Sequence, residues 1–373
     1  MQAASERDAP DRCPGAVQVH AAADGGLARI RLPGGRLTAA QLDVLRAAAA
    51  ELGDPALELT SRANIQVRAL RPGAPAELAA RLHAAGLLPS ESHERVRNII
   101  ASPLSGRDGL GTVDARPIVA AFDAGLCASP RLAELPGRFL ATIDDGRGDV
   151  SGLGGDVGLH GTQLLLAGLP TAAHGGAELL LRATEAFAEE RSTAWRLAEV
   201  PDGPARVAAR LGTRLLDGRP AAGPPPAPGV HAQADGRVAV VVVVPLGLLT
   251  GAQSSALAAA GNEIIVTPWR TAVAPAVPMD EAERIVEALT AAGLVADAAS
   301  PWAGVTACAG RPGCASALGD VRADARAAVA ASSGPNLPDT LPVHWVGCER
   351  RCGAPRGRHV EMLATADGYL VSS

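Results

Sequence analysis

LARIRLPGGRLTAAQ at residues 27–41 and VAVVVVVPLGLLTGAQ at residues 238–253 are two copies of one motif, and this motif decides the fold. Six positions of the first copy return in the second with identical spacing: Pro33, Gly35, Leu37, Thr38, Ala40 and Gln41 recur as Pro245, Gly247, Leu249, Thr250, Ala252 and Gln253. A segment that recurs with its spacing intact indicates a structural unit that the chain uses twice.

Each copy belongs to a strand–turn–helix–strand unit. The motif follows a β-rich run and precedes an alanine-rich helical stretch, for which its threonine is a natural N-cap. A second β-like run comes next, Ala56–Val67 in one unit and Glu263–Val273 in the other, and it places Arg62 and Arg270 at corresponding positions. We therefore expect two half-domains that pair into one ferredoxin-like α+β domain around a pseudo-twofold axis.

The rest of the chain predicts two further α/β domains, and RPAAGPPPAPG reads as a proline-rich linker. The expected boundaries are 1–72 for the first half-domain, 73–218 for a middle domain, 219–229 for the linker, 230–290 for the second half-domain and 291–373 for a C-terminal domain.

Composition narrows the class of protein. The chain has 373 residues, a net charge of −5 and no lysine, which argues against general nucleic-acid binding. Met1–Pro10 contains no apolar signal segment, and the longest apolar run, Val238–Val244, is far shorter than the roughly 20 residues that cross a bilayer. We expect a cytoplasmic protein with no membrane partner.

Four of the six cysteines lie near the C-terminus with the spacing C-x5-C, 33 residues, then C-x3-C: Cys308, Cys314, Cys348 and Cys352. Thiolates suit iron–sulfur clusters and zinc. Paired zinc cysteines are usually separated by two to four residues, so the five-residue gap favours a cluster, with structural zinc as the alternative. We also expect a helix over Ala315–Ala331 whose N-terminus faces the cluster.

These features resemble the nitrite and sulfite reductase superfamily, in both the cysteine order and the doubled half-domain. TSRANIQ at residues 60–66 is similar to that family's T-x-R-x-x-x-Q segment beside the tetrapyrrole, and Arg31 and Arg97 match two of its active-site arginines. The resemblance implies that the four cysteines hold a [4Fe–4S] cluster, with Cys352 bridging to an iron tetrapyrrole. It also implies that Arg62, Asn64 and Gln66 contact the cofactor.

The chain departs from the reductases at one informative segment. Where they carry two lysines for anion binding and proton delivery, LPGRFL at residues 135–140 has Arg138 and Leu140. The missing cation and the compact length resemble a short branch of the superfamily that serves aerobic cobalamin synthesis. That branch implies an O2-dependent monooxygenase acting on precorrin-3A at C20 with γ-lactone formation, and it makes Arg31, Arg97 and Arg138 candidate catalytic residues.

Several alternatives stay open at this point. The iron that activates O2 is either in sirohaem or is a separate non-haem iron, for which His160 and His359 are candidate ligands. Electrons come from an external donor, with NADH and reduced ferredoxin as candidates, because no built-in nicotinamide motif is visible. A sirohaem-dependent sulfite or nitrite reductase is the alternative enzyme. Cys13 and Cys127 are expected to be ordinary thiols.

Overall fold

The structure, a computed structural model, describes residues 11, 13–331, 341–355 and 357–373, so Met1–Pro10 lies outside the described residues. The helices in this part of the chain are α1 (Ala39–Leu52), α2 (Ala74–Ala84), α3 (Ala115–Ala128), α4 (Ala177–Glu190), α5 (Gly203–Arg210), α6 (Gly251–Ala260), α7 (Ala282–Ala291) and α8 (Val321–Ala330). The strands are β1 (His20–Ala22), β2 (Gly25–Ile30), β3 (Arg36–Thr38), β4 (Leu57–Leu59), β5 (Ile65–Leu70), β6 (Ile99–Ala101), β7 (Ala141–Asp144), β8 (Val157–His160), β9 (Gln163–Leu166), β10 (Leu169–His174), β11 (Gly229–Ala232), β12 (Val238–Val243), β13 (Leu248–Leu249), β14 (Glu263–Val266), β15 (Thr271–Val277), β16 (Val305–Ala307), β17 (Val343–Val346), β18 (Val360–Thr365) and β19 (Gly368–Ser372).

The two half-domains exchange short strands. The first sheet has the order β1-β2-β5-β4-β13 and the second the order β11-β12-β15-β14-β3, so each sheet ends in a strand from the other half. Leu248 pairs with Glu58, and Leu37 pairs with Ile264. Helices α1 and α6 pack against each other, and the two halves share one hydrophobic core. The predicted ferredoxin-like pairing is confirmed.

The repeated motif produces this exchange through its turn and its helix cap. A Cβ at Gly35, whose φ is 71°, would collide with the Val266 carbonyl oxygen, so only glycine lets the two half-domains approach this closely. The hydroxyl of Thr38 accepts a hydrogen bond from the Gln41 amide, and the Gln41 side chain accepts one from the Thr38 amide. Such a capping box fixes where the helix begins, and the second copy repeats it.

One expected correspondence between the halves is wrong by one residue. The turn between β4 and β5 is closed by Ala63, whose amide donates to the Thr60 carbonyl oxygen; in the second half, Arg270 donates in the same way to Thr267. Ala63 and Arg270 share a left-handed backbone, with φ of 54° and 60°. Arg270 therefore matches Ala63, not Arg62, because the turn geometry sets the register.

The middle part of the chain forms a third sheet with the order β10-β9-β8-β7-β6. Strands β6, β7 and β8 run parallel, and α3 and α4 pack on them around a core that includes Phe122, Phe139 and Phe187. The proline-rich segment is attached to this part of the chain, since the Gly223 amide donates to the Gly148 carbonyl oxygen at 2.9 Å.

The C-terminal sheet has the order β16-β17-β18-β19, and its first three strands are parallel. Helix α8 connects β16 to β17 in sequence and packs on both. The helix begins at Val321, capped by the Asp320 carboxylate, which accepts from the Ala323 amide. The expectation that a helix starts directly after Cys314 is therefore wrong, because the cap lies six residues further along the chain.

None of the helices in the described ranges combines the length and apolar character that crossing a bilayer requires.

Asp149 gives the fold a pH dependence. Its side chain is fully buried, Oδ1 accepts a hydrogen bond from the Ser102 hydroxyl, and Oδ2 accepts none within the described residues. Burial, together with the Asp144 charge, raises the pKa of Asp149 to about 7. The folded chain thus keeps a proton that the unfolded chain releases near the usual aspartate pKa of about 3.9, so this residue destabilises the fold as pH rises between those values.

We expect Asp149→Asn to remove that penalty. The free energy of unfolding of the variant should exceed that of the wild type by an amount that grows by roughly 2–4 kcal/mol between about pH 5 and pH 8. Urea unfolding of both proteins across this range measures it, with Asp54→Asn, at an exposed aspartate, as the control. A difference that stays constant with pH would show that Asp149 does not titrate in this window.

Candidate functional site

Two neighbouring parallel strands bring the two cysteine pairs together. Cys308 directly follows β16, and Cys348 follows β17 after one glycine. Because β16 and β17 are parallel, with Ala307 opposite Trp345, their carboxyl ends lie at one edge of the sheet. The Cys308 sulfur accepts a hydrogen bond from the Gly347 amide at 3.2 Å, which ties the two loops to each other.

Each half-domain contributes one arginine that holds a cysteine loop. Arg68 on β5 donates to the carbonyl oxygen of Gly313, the residue before Cys314, at 2.7 Å. Arg270 donates to the carbonyl oxygen of Gly353, the residue after Cys352, at 3.1 Å. The pseudo-twofold domain therefore clamps the loops of the C-terminal sheet from two sides.

The four thiols line one cavity of ≈450 Å³ between the paired half-domains and the C-terminal sheet. Small residues make up much of the wall around them, and four arginines also line it. The wall includes Cys308, Cys314, Cys348, Cys352, Arg29, Arg68, Arg270, Arg350, Thr60, Ser61, Gln66, Ala307, Ala309, Ala315, Ala317, Gly313 and Gly353. Burial and the charges of Cys308, Cys348 and Cys314 raise the pKa of the Cys352 thiol.

This arrangement fits an iron–sulfur cluster. Structural zinc draws four ligands onto one ion at about 2.3 Å, whereas a cubane cluster gives each thiolate its own iron and needs space between the sulfurs. Here the thiols surround a cavity, and among the described residues no group of three or more His, Cys, Asp or Glu is arranged around a single ion position. The edge of the C-terminal sheet thus supplies both the thiolate ligands and the space that a cluster requires.

Three arginines of the first half-domain form no ion pair with a carboxylate within the described residues, and one of them, Arg29, lines the cavity. Arg29 donates to the Gln66 side-chain oxygen, Arg62 to the Gly137 carbonyl, and Arg31 to the Arg29 and Pro14 carbonyls. Burial lowers the pKa of all three, that of Arg62 to about 10. A buried cation without a counter-charge is costly, so these arginines favour an anionic ligand, and carboxylates match the guanidinium fork.

Not every predicted residue reaches this cavity. Gln66 lies on its wall and orients Arg29. Asn64 is fully buried behind it, where its side chain accepts from the Leu32 amide and donates to Asn98. The structure therefore gives Asn64 a scaffolding contact in place of an open face toward a cofactor.

Arg31 and Arg97 meet in a second, smaller cavity of ≈180 Å³. Arg97 is held there by a bidentate ion pair with Asp123, both N–O distances being 2.7 Å. Arg138 is exposed and stacks on the Trp195 ring, 5.3 Å from its centroid. The structure thus brings Arg31 and Arg97 together but leaves Arg138 on the surface.

The remaining candidates lie off the wall of the large cavity. His160 faces Asp144 on the neighbouring strand at 3.3 Å, and His359 contacts the Gly357 carbonyl oxygen. Burial raises the pKa of both other thiols, Cys13 and Cys127.

Arg29, Arg68 and His344 are site residues that the sequence interpretation missed. The signal available for Arg29 was its place in the repeated motif, two residues before Arg31, although the two arginines line different cavities. His344 is fully buried on β17, and its Nε2 lies 3.2 Å from the Cys352 carbonyl oxygen. Burial, with the Arg270 charge, lowers the pKa of His344 to about 4, so the ring is neutral near pH 7.

Comparison with known proteins agrees with this geometry. Residues 20–85 match the nitrite/sulfite reductase ferredoxin-like half domain. The chain is 35% identical over 127 residues to the ferredoxin–nitrite reductase of Synechococcus elongatus, covering 32% of this chain and 25% of that enzyme. It is 26% identical over 396 residues to a precorrin-3B synthase from a Sinorhizobium species, covering 96% of this chain and 81% of that protein.

The fold is also that of the NirA protein of Mycobacterium tuberculosis, with a TM-score of 0.74 at 21% identity, covering 93% of this chain and 73% of that one. The resemblance drawn from the cysteine order and the doubled motif is therefore confirmed. The chain spans a quarter of the nitrite reductase, whereas its similarity to the precorrin-3B synthase extends over nearly its whole length.

Proposed function

From its resemblance to the nitrite and sulfite reductases and, along nearly all of its length, to precorrin-3B synthase, we propose that this chain is an iron–sulfur monooxygenase of aerobic cobalamin synthesis. The proposed reaction converts precorrin-3A to precorrin-3B by hydroxylation at C20 and γ-lactone formation. One atom of O2 enters the macrocycle and the other leaves as water, with two electrons from an external donor and two protons balancing the reaction.

One observation carries this proposal: thiols and uncompensated arginines border the same cavity. A tetrapyrrole at this stage of synthesis is a polycarboxylate, so Arg29 and Arg350 on the cavity wall supply the charge that its acid side chains require. Gln66 fixes the direction of the Arg29 guanidinium, because its Oε1 accepts hydrogen bonds from Arg29 Nε and Nη2. These residues bind and orient the macrocycle.

Cys308, Cys314, Cys348 and Cys352 would hold the cluster, which supplies single electrons when bound. The protein's own part is to keep the two cysteine loops in register. Arg68 and Arg270 do this from the half-domains, and Arg322 does it from α8 by donating to the Cys308 carbonyl oxygen while pairing with Glu58. The iron that would activate O2 belongs either to sirohaem or to a non-haem site, and the experiment below distinguishes the two.

A sirohaem-dependent sulfite or nitrite reductase is the alternative, supported by the local identity to nitrite reductase. Reduction of a small anion needs cationic proton donors beside it. At the segment where the reductases carry lysines, Leu140 is 2% exposed in an apolar cluster with Ile100 and Val150, and Arg138 stacks on Trp195. These two positions therefore favour chemistry on the macrocycle itself.

The test begins with anaerobic purification and measurement of iron, acid-labile sulfide, zinc and tetrapyrrole. The protein is then given precorrin-3A, O2 and a reductant, and mass spectrometry follows the product. We expect a product that has gained one oxygen atom and closed a lactone, with label from 18O2. Sulfite or nitrite reduction without oxygen insertion would favour the reductase, and zinc without labile sulfide would make the site structural.

A further inference from the structure

The turn that carries Cys352 is held from beneath by a row of three polar side chains on adjacent parallel strands. Thr306 on β16, His344 on β17 and Glu361 on β18 stand opposite one another in the sheet register. All three point to one face, because residues paired across parallel strands share a face. His344 is fully buried and Glu361 is 8% exposed.

The residues at both ends of the row, Thr306 and Glu361, form hydrogen bonds with their neighbours. The Thr306 hydroxyl lies 2.8 Å from His344 Nδ1. Both carboxylate oxygens of Glu361 share the single N–H of Arg351 Nε, at 2.7 and 2.9 Å. Arg351 is the residue before Cys352 and has a left-handed backbone with φ of 49°. The row therefore holds the Cys348–Gly353 loop at two consecutive residues.

The hydrogen-bond directions are fixed by chemistry. His344 Nε2 faces the Cys352 carbonyl oxygen at 3.2 Å, and a carbonyl oxygen only accepts. Nε2 must then carry the proton, which leaves Nδ1 as an acceptor for the Thr306 hydroxyl. The Cys352 carbonyl thus sets the His344 tautomer, and the Thr306 hydroxyl, which can donate to Nδ1, holds the ring in the orientation that this contact requires.

On this basis we infer that His344, oriented by Thr306, is the positioning residue that fixes the Cys352 peptide and so aims its sulfur into the cavity. The inference rests on the proposed function, since it assumes that Cys352 is a cluster ligand. Arg270 also holds this loop, because it donates a hydrogen bond to the next carbonyl oxygen, that of Gly353. Cys352 is exposed and its loop contains glycine, so the loop has few contacts of its own to restrain it. The hydrogen bonds from His344 and Arg270 supply that restraint.

His344→Leu is the direct test, made on the full chain with its cluster reconstituted anaerobically from iron and sulfide. We expect the electron paramagnetic resonance signal of the reduced cluster to change. Iron release to a chelator should become about 10-fold faster, the usual scale for losing a group that orients a metal ligand. His344→Gln, whose amide can donate to the same carbonyl, should recover most of the wild-type behaviour.

His231→Leu is the matched control, because His231 also contacts a backbone carbonyl, that of Ala227, but is only half-buried, on β11 and away from the cysteine loops. Thr306→Val is the milder variant and should shift both measurements in the same direction, by a smaller amount. If His344→Leu does not fold, Thr306→Val decides, and an unchanged signal with unchanged iron release would overturn the inference.

The outcomes also separate this inference from the proposed function. A wild-type chain that takes up no iron and sulfide contradicts both. A wild-type chain with an intact cluster, together with a folded His344→Leu variant that matches it in spectrum and iron release, overturns the positioning role alone.

Discussion

Cys348→Ala is expected to leave the chain without its cluster. Cys348 lies where β17 ends, and it lines the cavity together with the other three thiols. Removing one thiolate from a four-cysteine site leaves one iron of the cluster without its protein ligand. A cluster that binds only the folded chain raises the free energy of unfolding. The variant should therefore be about 4 kcal/mol less stable than the wild type with its cluster bound.

Iron and labile-sulfide content after anaerobic purification measures the first effect, and chemical unfolding under the same conditions measures the second. Cys127→Ala is the matched control, since Cys127 is a half-buried thiol packed against the middle core. Oxygen insertion should disappear with the cluster in the Cys348 variant and persist in the control. Equal iron content in the two variants would contradict the four-cysteine assignment.

Arg29→Met should weaken tetrapyrrole binding with little effect on the unliganded fold. Arg29 lines the cavity, and its guanidinium has the Gln66 oxygen as its hydrogen-bond partner among the described residues. A charge-assisted contact with a carboxylate contributes about 1.5–3 kcal/mol, so affinity should fall roughly 10- to 100-fold. The unfolding free energy should change by less than about 1 kcal/mol, because removing a buried charge offsets the lost Gln66 contact.

Uroporphyrin, a stable polycarboxylate tetrapyrrole, is a suitable probe, and fluorescence titration gives its dissociation constant. Arg46→Met is the matched control, since Arg46 is a partly exposed α1 arginine paired with Asp43. It should bind the probe like the wild type. An Arg29 variant with wild-type affinity would remove the cavity arginines from substrate binding.

The sequence was sufficient for the parts of the fold that depend on local chemistry repeated twice. The PxG turn and the Thr–Gln capping box are short-range devices, so the copies at Thr38 and Thr250 predicted matching helices that the structure contains. The repeat predicted that the two half-domains pair around an axis, but it did not predict that β3 and β13 are exchanged between the sheets. Its register depends on contacts between residues far apart in the chain, such as Leu248 with Glu58.

The candidate site was predictable in its ligands and less so in its surroundings. Cysteine spacing reports a site directly, because thiolates are chemically distinctive. Arginine is used both for substrate and for structure, and only geometry separates Arg29, which lines the cavity, from Arg97, which is bound by Asp123. His344 gave no local signal, since its role depends on Thr306 and Cys352 meeting it in space.

The exchange of strands has a consequence for the order in which the protein is made. When the first half-domain leaves the ribosome, the free edge of β4 has no partner, because β13 is translated only after the whole middle sheet. The unpaired strand edge and the face of α1 that α6 will later cover both favour association with other chains. The middle sheet, built from five strands consecutive in sequence, can close meanwhile. The nascent chain therefore carries an unfinished sheet through about half of its synthesis, from the end of β4 at Leu59 to the start of β13 at Leu248.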